Sequence, residues 1–400
     1  MVILRRLAGA LAGLHGSLDS SVLEAFAPDP DGDACTFLAY ANAERAYWLM
    51  PLDPSTRRAA LGLYSPQTFL GQVLRFNMRR GWLCSQRIGL SRDRVADFRA
   101  LLEPILSEPE LRVAFSVGPP RPTQKITAVL IDRRARVVAY AKIAFGRSAR
   151  QALARERTVL ERLASEDYLS THVPSLYGWL EWNGGDVLVI SPGPAGAGPA
   201  DLGDDHAEFL RRLHLSYEEV MPFSDTQIRR RLACNHERLW SHVSHAWERR
   251  YERAMDRLDT ELTGTSIPTS LAHRDFTPWN TRTSPGGLFV FDWEAAEPGA
   301  TPGYDAFHFR AIQAALMGRP VALDDWIPGF IESVWPEGEG LLPVLWLTYL
   351  VDMSMVYAEA HVVSSGIGDH RVLQWFGEEI DRSLNRDHAR SAEPTVSRTR

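Results

Sequence analysis

Leu271–Arg282 reads LAHRDFTPWNTR. It holds one carboxylate, Asp275, and one primary amide, Asn280, five positions on, with Pro278 and Trp279 between them. Shortly after it comes FVFDWE, a strand-like run that ends in an acidic cluster and supplies a second carboxylate, Asp292. Asp and Asn favour turns in any protein, so a purely structural loop is one reading of these residues. Their order, and what lies upstream, supports a chemical one.

Phosphoryl transfer needs a carboxylate to orient a hydroxyl and accept its proton, and a divalent cation to bridge the phosphate oxygens. Asp275 suits the first task. Asn280 and Asp292 offer the oxygen ligands that Mg²⁺ prefers, few in number because water and substrate phosphates complete its shell. His273 is placed to brace the loop, with proton transfer as its alternative role.

Upstream, Lys142 stands in VVAYAKIAF, where an ammonium among apolar neighbours is costly unless it is paired. Glu156, in the helix-patterned SARQALARERTVLERLASE, is the candidate partner. A strand lysine oriented by a helix glutamate toward nucleotide phosphates completes the set of groups that kinases use.

Working outward, three regions separate. Residues 1–110 mix short apolar runs with Pro51, Pro54 and Pro66, which interrupt long elements. From 111 to 200, LRVAFSV, KITAVLI, RVVAYAKIAF and GDVLVIS are β-branched and aromatic strands around a single helix. They are followed by a Pro/Gly-rich hinge, PGPAGAGPADLGDD. Residues 201–385 read as mostly helical, including one long amphipathic stretch from TQIRRR to DTEL, and 386–400 read as a disordered tail.

HRDFTPWN followed by VFDWE resembles the catalytic loop and metal-binding segment of the aminoglycoside phosphotransferase and choline-kinase-like enzymes. HRD with an asparagine five residues after its aspartate also resembles the protein-kinase signature. The resemblance covers residues 111–310 in the order Lys142, Glu156, Asp275, Asn280, Asp292. It implies an α+β, bilobal protein-kinase-like fold: a small antiparallel-sheet lobe, a larger helical lobe, and here an additional N-terminal region. It also implies Asp275 as base, Asn280 and Asp292 on Mg²⁺, and Lys142, oriented by Glu156, on the phosphates of ATP. Val189, Ile190 and Ser191 would carry the backbone that binds adenine, and Asp305 would brace the catalytic loop.

Departures narrow the reading. SVGPPRPTQK has one glycine and three prolines where such enzymes have a glycine-rich loop, so it offers few N–H donors to phosphate. DWE replaces DFG, and no APE follows. A small-molecule hydroxyl (sugar, amino sugar or amino alcohol) is the expected acceptor. The alternatives are a nucleotide-binding pseudokinase whose residues 1–110 dock a protein partner, and a protein kinase.

A net charge of −6 argues against a nucleic-acid partner. The apolar run Gly340–Ala358 is broken by Pro343 and Asp352, so it reads as a buried helix rather than a membrane span. Asp352 within it calls for an arginine or a backbone N–H. Three widely spaced cysteines and a short, weakly apolar N-terminus lead to a cytoplasmic expectation.

Overall fold

The computed structural model describes residues 25–27, 32–41, 47–62, 69–82, 86–118, 123–321, 323, 326–365 and 371–390. The weakly apolar N-terminus (residues 1–24), Cys84, residues 119–122 of the proline-rich turn and residues 391–400 of the tail lie outside them. The described chain divides into two compact units. Unit 1 runs to Gly198 and takes back Arg282–Pro285 and Phe289–Glu294, while unit 2 holds Pro199–Thr281, Gly286–Leu288 and the chain from Ala295 onward.

Unit 1 is built on an eight-stranded sheet of order β3-β1-β2-β4-β5-β6-β8-β7. Its strands are β1 (Ala34–Ala41), β2 (Tyr47–Pro51), β3 (Gln86–Ser91), β4 (Arg112–Val117), β5 (Ile126–Ile131), β6 (Val137–Ala144), β7 (Leu176–Trp182) and β8 (Gly185–Ile190). Neighbouring strands pair antiparallel throughout. The boundary expected near residue 110 is therefore not a structural break. β2 pairs with β4 from Tyr47↔Val117 to Leu49↔Phe115, joining the N-terminal strands to the rest.

The period-2 alternation of strands explains how. In ACTFLAYA, Phe37 and Ala39 enter one core with Phe26, Phe98 and Phe115. Leu38 and Tyr40 enter a second core, on the other face, with Val129 and Ile131. Three helices accompany these strands: α1 (Pro54–Ala60), α2 (Phe69–Arg80) and α3 (Arg92–Leu106). The helix expected after β6 is α4 (Arg147–Leu163).

Unit 2 is mainly helical but not purely so. β10 (Ser266–Ala272) pairs antiparallel with β9 (Glu219–Pro222) and β13 (Glu297–Ala300). The ribbon of β11 (Thr281–Ser284) and β12 (Gly287–Val290) has residues in both units. The long amphipathic stretch is two helices, α6 (Gln227–Leu239) and α7 (His245–Leu262), following α5 (Asp204–Ser216). Thr226 caps α6 by accepting the Arg229 N–H at 3.2 Å, an N-terminal signal. The remaining helices are α8 (Tyr304–Met317), α9 (Trp326–Val334), α10 (Leu342–Ser365) and α11 (Arg371–Arg390). The apolar run around Asp352 is α10, and among the described residues no helix is long and apolar enough to cross a membrane. The last helix reaches Arg390, past the boundary expected at 385.

His206 makes unit 2 sensitive to acid. Its Nδ1 accepts the Gly203 N–H at 3.1 Å and closes the first turn of α5. Its ring lies edge-on between Phe276 and Phe309. Burial lowers its pKa to about 4. A histidine lowered in the folded state contributes stability above its unfolded value and loses it as pH falls toward the folded one. The predicted loss, on the order of 3 kcal/mol between pH 6.5 and 4, can be read from urea melts across that range. His206→Asn, which keeps an acceptor but cannot titrate, is expected to flatten the decline.

Candidate active site

In unit 1 the residues chosen from sequence meet around one amine. Along β6, Ala139, Ala141 and Ile143 point into the main core, so alternation turns Tyr140 and Lys142 to the other face. The buried stripe of α4 is Ala149, Ala152, Leu153, Glu156, Val159, Leu160 and Leu163. Glu156 thus occupies a core position of an amphipathic helix, and it is fully buried. It meets Lys142: Nζ lies 2.5 Å from Glu156 Oε1 and 2.7 Å from Asp292 Oδ1.

Asp292 is brought there by a tight turn. Val290 N–H donates to His172 O at 2.8 Å. The buried Trp293 indole N–H donates back to Val290 O at 3.0 Å. Asp292 between them has φ 71°, a left-handed conformation that aspartate tolerates better than most residues.

Two further groups join that the sequence reading did not single out. Lys125, just before β5, contacts Asp292 at 3.3 Å and also Glu294. The signals were there: Glu294 ends DWE, and Lys125 ends the proline-rich turn. Burial works against both ammonium groups, yet the facing carboxylates raise the pKa of Lys142 and Lys125 above the ordinary lysine range. The carboxyl of Glu294 is raised by burial and by its neighbour Asp292. Oxygens of Glu156, Asp292 and Glu294 all lie within 4.8 Å of one another.

Lys125, Lys142 and Asp292 of this cluster line one end of an open pocket of about 130 Å³. The other end is lined by Tyr140, Ile190, Ser191, Gly193 and Arg282, the last stacked over Phe291 at 4.8 Å. Val189 does not line it, being part of the sheet core. The Ser191 N–H is committed to Ser175 O at 2.9 Å. Because Pro192 and Pro194 have no N–H, Gly193 supplies the donor this stretch can offer to a base.

In unit 2 the loop after β10 is held from beneath by Asp305 at the start of α8. Its two oxygens accept the His273 N–H at 2.7 Å and the Arg274 N–H at 2.9 Å. His273 is fully buried, and its Nδ1 accepts the Asp275 N–H at 3.2 Å, a bracing contact. The Asn280 amide nitrogen donates to Asp275 O at 2.9 Å and to Asp275 Oδ2 at 2.8 Å. The Asp275 side chain remains 43% exposed, open enough to meet a substrate.

Arg274, with φ 64°, is anchored by its side chain. Its guanidinium reaches Asp352 at 2.7 Å and also Glu297. Arg231 approaches the same two carboxylates at 2.8 and 3.0 Å, and the Tyr304 hydroxyl donates to Asp352 at 2.5 Å. Burial would raise the pKa of Asp352, but Arg274 and Arg231 hold it down, to about 2.

Comparison with known proteins bears on both halves. Residues 128–322 match the family model described as the phosphotransferase enzyme family. The family match accords with an α+β, protein-kinase-like fold.

Solved structures of similar shape include a thermostable mutant of the aminoglycoside phosphotransferase APH(4)-Ia, in a ternary complex with ADP and hygromycin B. It is 16% identical with a TM-score of 0.49, over 74% of this chain and 99% of that one. The ADP-bound aminoglycoside phosphotransferase APH(2'')-Ib is 15% identical with a TM-score of 0.44, over 72% and 98%. An ethanolamine kinase from Plasmodium vivax is 13% identical with a TM-score of 0.48, over 73% and 89%. No match was found among curated proteins.

Removing the carboxylate of Asp352 leaves two buried guanidinium groups short of a partner. Asp352→Asn is expected to destabilise the protein by about 3–5 kcal/mol, measured by urea unfolding at neutral pH. The wild-type aspartate contributes its stability above pH 4 and loses it as pH falls toward 2. The variant should lack that part of the acid limb.

Proposed function

We propose that this chain transfers a phosphoryl group from ATP to a hydroxyl of a small molecule: a sugar, an amino sugar or an amino alcohol. The observation that carries the reading is the convergence on the Lys142 amine of Glu156, fourteen residues later, and Asp292, a further 136 residues on.

The Lys142 ammonium takes the phosphate oxygens and Glu156 keeps it aimed. Lys125 adds a second cation at the same end of the pocket, where the proline-rich turn lacks N–H donors. Tyr140, Arg282 and the Gly193 N–H form the end suited to a base. Glu156, Asp292 and Glu294 present hard oxygen donors of the kind Mg²⁺ takes. Asp292 is the principal ligand in this proposal. Asn280, whose amide nitrogen is spent on Asp275, contributes its oxygen. Mg²⁺, when bound, neutralises charge on the transferring phosphate.

Asp275 orients the acceptor hydroxyl and accepts its proton. His273 keeps the backbone of the loop in place. Positioning and electrostatics supply most of the rate. A cytoplasmic setting accords with the free thiols of Cys35 and Cys234.

The test is incubation with Mg²⁺, ATP and a panel of sugars, amino sugars and amino alcohols, with mass spectrometry for an added phosphate. Asp275→Asn should lower kcat by at least ~100-fold while nucleotide binding persists. Wild-type turnover in that variant contradicts the assignment of the base. Lys142→Met should weaken nucleotide binding, read by calorimetry, and lower stability by leaving the buried Glu156 unpaired.

A further inference from the structure

The helix that holds the catalytic loop touches it twice. Asp305 and His308 are three residues apart on α8 and share a face. Asp305 takes the loop's backbone. His308 approaches the side chain of Asp275, its Nε2 lying 3.5 Å from Asp275 Oδ1. The ring is 1% exposed, and Nε2 has no hydrogen-bond partner within normal distance. A buried ring nitrogen aimed at an exposed carboxylate is unusual enough to need a reason.

The other ring nitrogen supplies it. His308 Nδ1 lies 3.1 Å from the hydroxyl of Tyr349 on α10. Tyr349 is fully buried, and burial raises its pKa well above the ordinary phenol range, so it keeps its proton. A phenol that donates to Nδ1 leaves the neutral imidazole with its proton on Nε2. The opposite tautomer would set a lone pair of Nε2 against the oxygen of Asp275. Tyr349 therefore selects the form that presents an N–H to the carboxylate. Asn280 addresses the other oxygen, Oδ2, at 2.8 Å.

We infer that His308 is a positioning residue for Asp275, its Nε2–H and the Asn280 amide fixing the carboxylate at both oxygens. The inference rests on Asp275 being the base. The terminal torsion of an aspartate is broad, and a misplaced reacting group is costly in rate. A contact of 3.5 Å is long for a hydrogen bond, but catalytic contacts commonly tighten once substrate is bound. The Asp305 carboxylate also faces His308, yet it spends its oxygens on the loop N–H groups.

The experiment has a spectroscopic arm and a kinetic arm. In protein labelled with ¹⁵N-histidine, long-range ¹H–¹⁵N spectra of the wild type should show His308 as the Nε2–H tautomer. Its Nε2 signal should move in Asp275→Asn, and its tautomer should change in Tyr349→Phe. In turnover assays His308→Leu should lower kcat by about 10- to 100-fold with the KM for ATP unchanged. His308→Gln, which keeps an N–H donor, should recover part of the loss.

An Nδ1–H tautomer, or a signal indifferent to Asp275→Asn, overturns the inference, as does wild-type kcat in His308→Leu. If the leucine variant does not fold, the wild-type spectrum and the glutamine variant still decide. Full turnover in Asp275→Asn would instead contradict the base assignment, leaving the spectroscopic result to stand separately.

Discussion

A buried ammonium must be paired or the fold loses several kcal/mol, and the Lys142 amine imposes that condition on unit 1. The alternation of β6 puts the lysine on the face away from the main core. The helix after it must then carry an acid at a core-facing position, and Glu156 sits where a leucine would otherwise pack. The turn at Asp292 must also bend back to the sheet, which the His172 and Trp293 hydrogen bonds achieve. Three carboxylates against two lysines leave the cluster with one net negative charge. Each ammonium is satisfied by carboxylates, and in the proposed function phosphate would replace them on the amines and leave them free for a cation.

Unit 2 meets a different constraint, the shape of a loop. Arg274 adopts a backbone conformation that costs a non-glycine residue about 1 kcal/mol. Asp305 takes the N–H groups of Arg274 and of the residue before it, and the buried pairing of Arg274 with Asp352 fixes the side chain. The same loop then presents Asp275 with its oxygens addressed by neighbours. Buried charge secures the backbone so that one exposed carboxylate can be held in place.

Much of this was legible in the sequence where a residue was out of keeping with its surroundings. A lysine inside VVAYAKIAF and an aspartate inside an apolar helix each demand a partner, and the structure supplies Glu156, Asp292, Arg231 and Arg274. What was not legible lacked such a signal. SIPTSLA forms β10 despite Pro268 and its small residues, because β9 and β13 flank it. The strands before residue 110 alternate correctly, but prolines between them hid the fact that they extend the sheet of β4 to β8. His308 looked like one more residue of an apolar helix, since its role depends on Tyr349, forty-one positions away.

The central claim is that the Lys142 cluster is a site for a triphosphate and its divalent cation. The most direct measurement is binding of Mn²⁺, by electron paramagnetic resonance, in the presence of a non-hydrolysable ATP analogue, for wild type and Asp292→Asn. The account predicts a nucleotide-dependent bound signal in the wild type and its loss in the variant, with the fold retained by circular dichroism. Equal binding by both proteins, or none in the wild type at millimolar nucleotide, would contradict it.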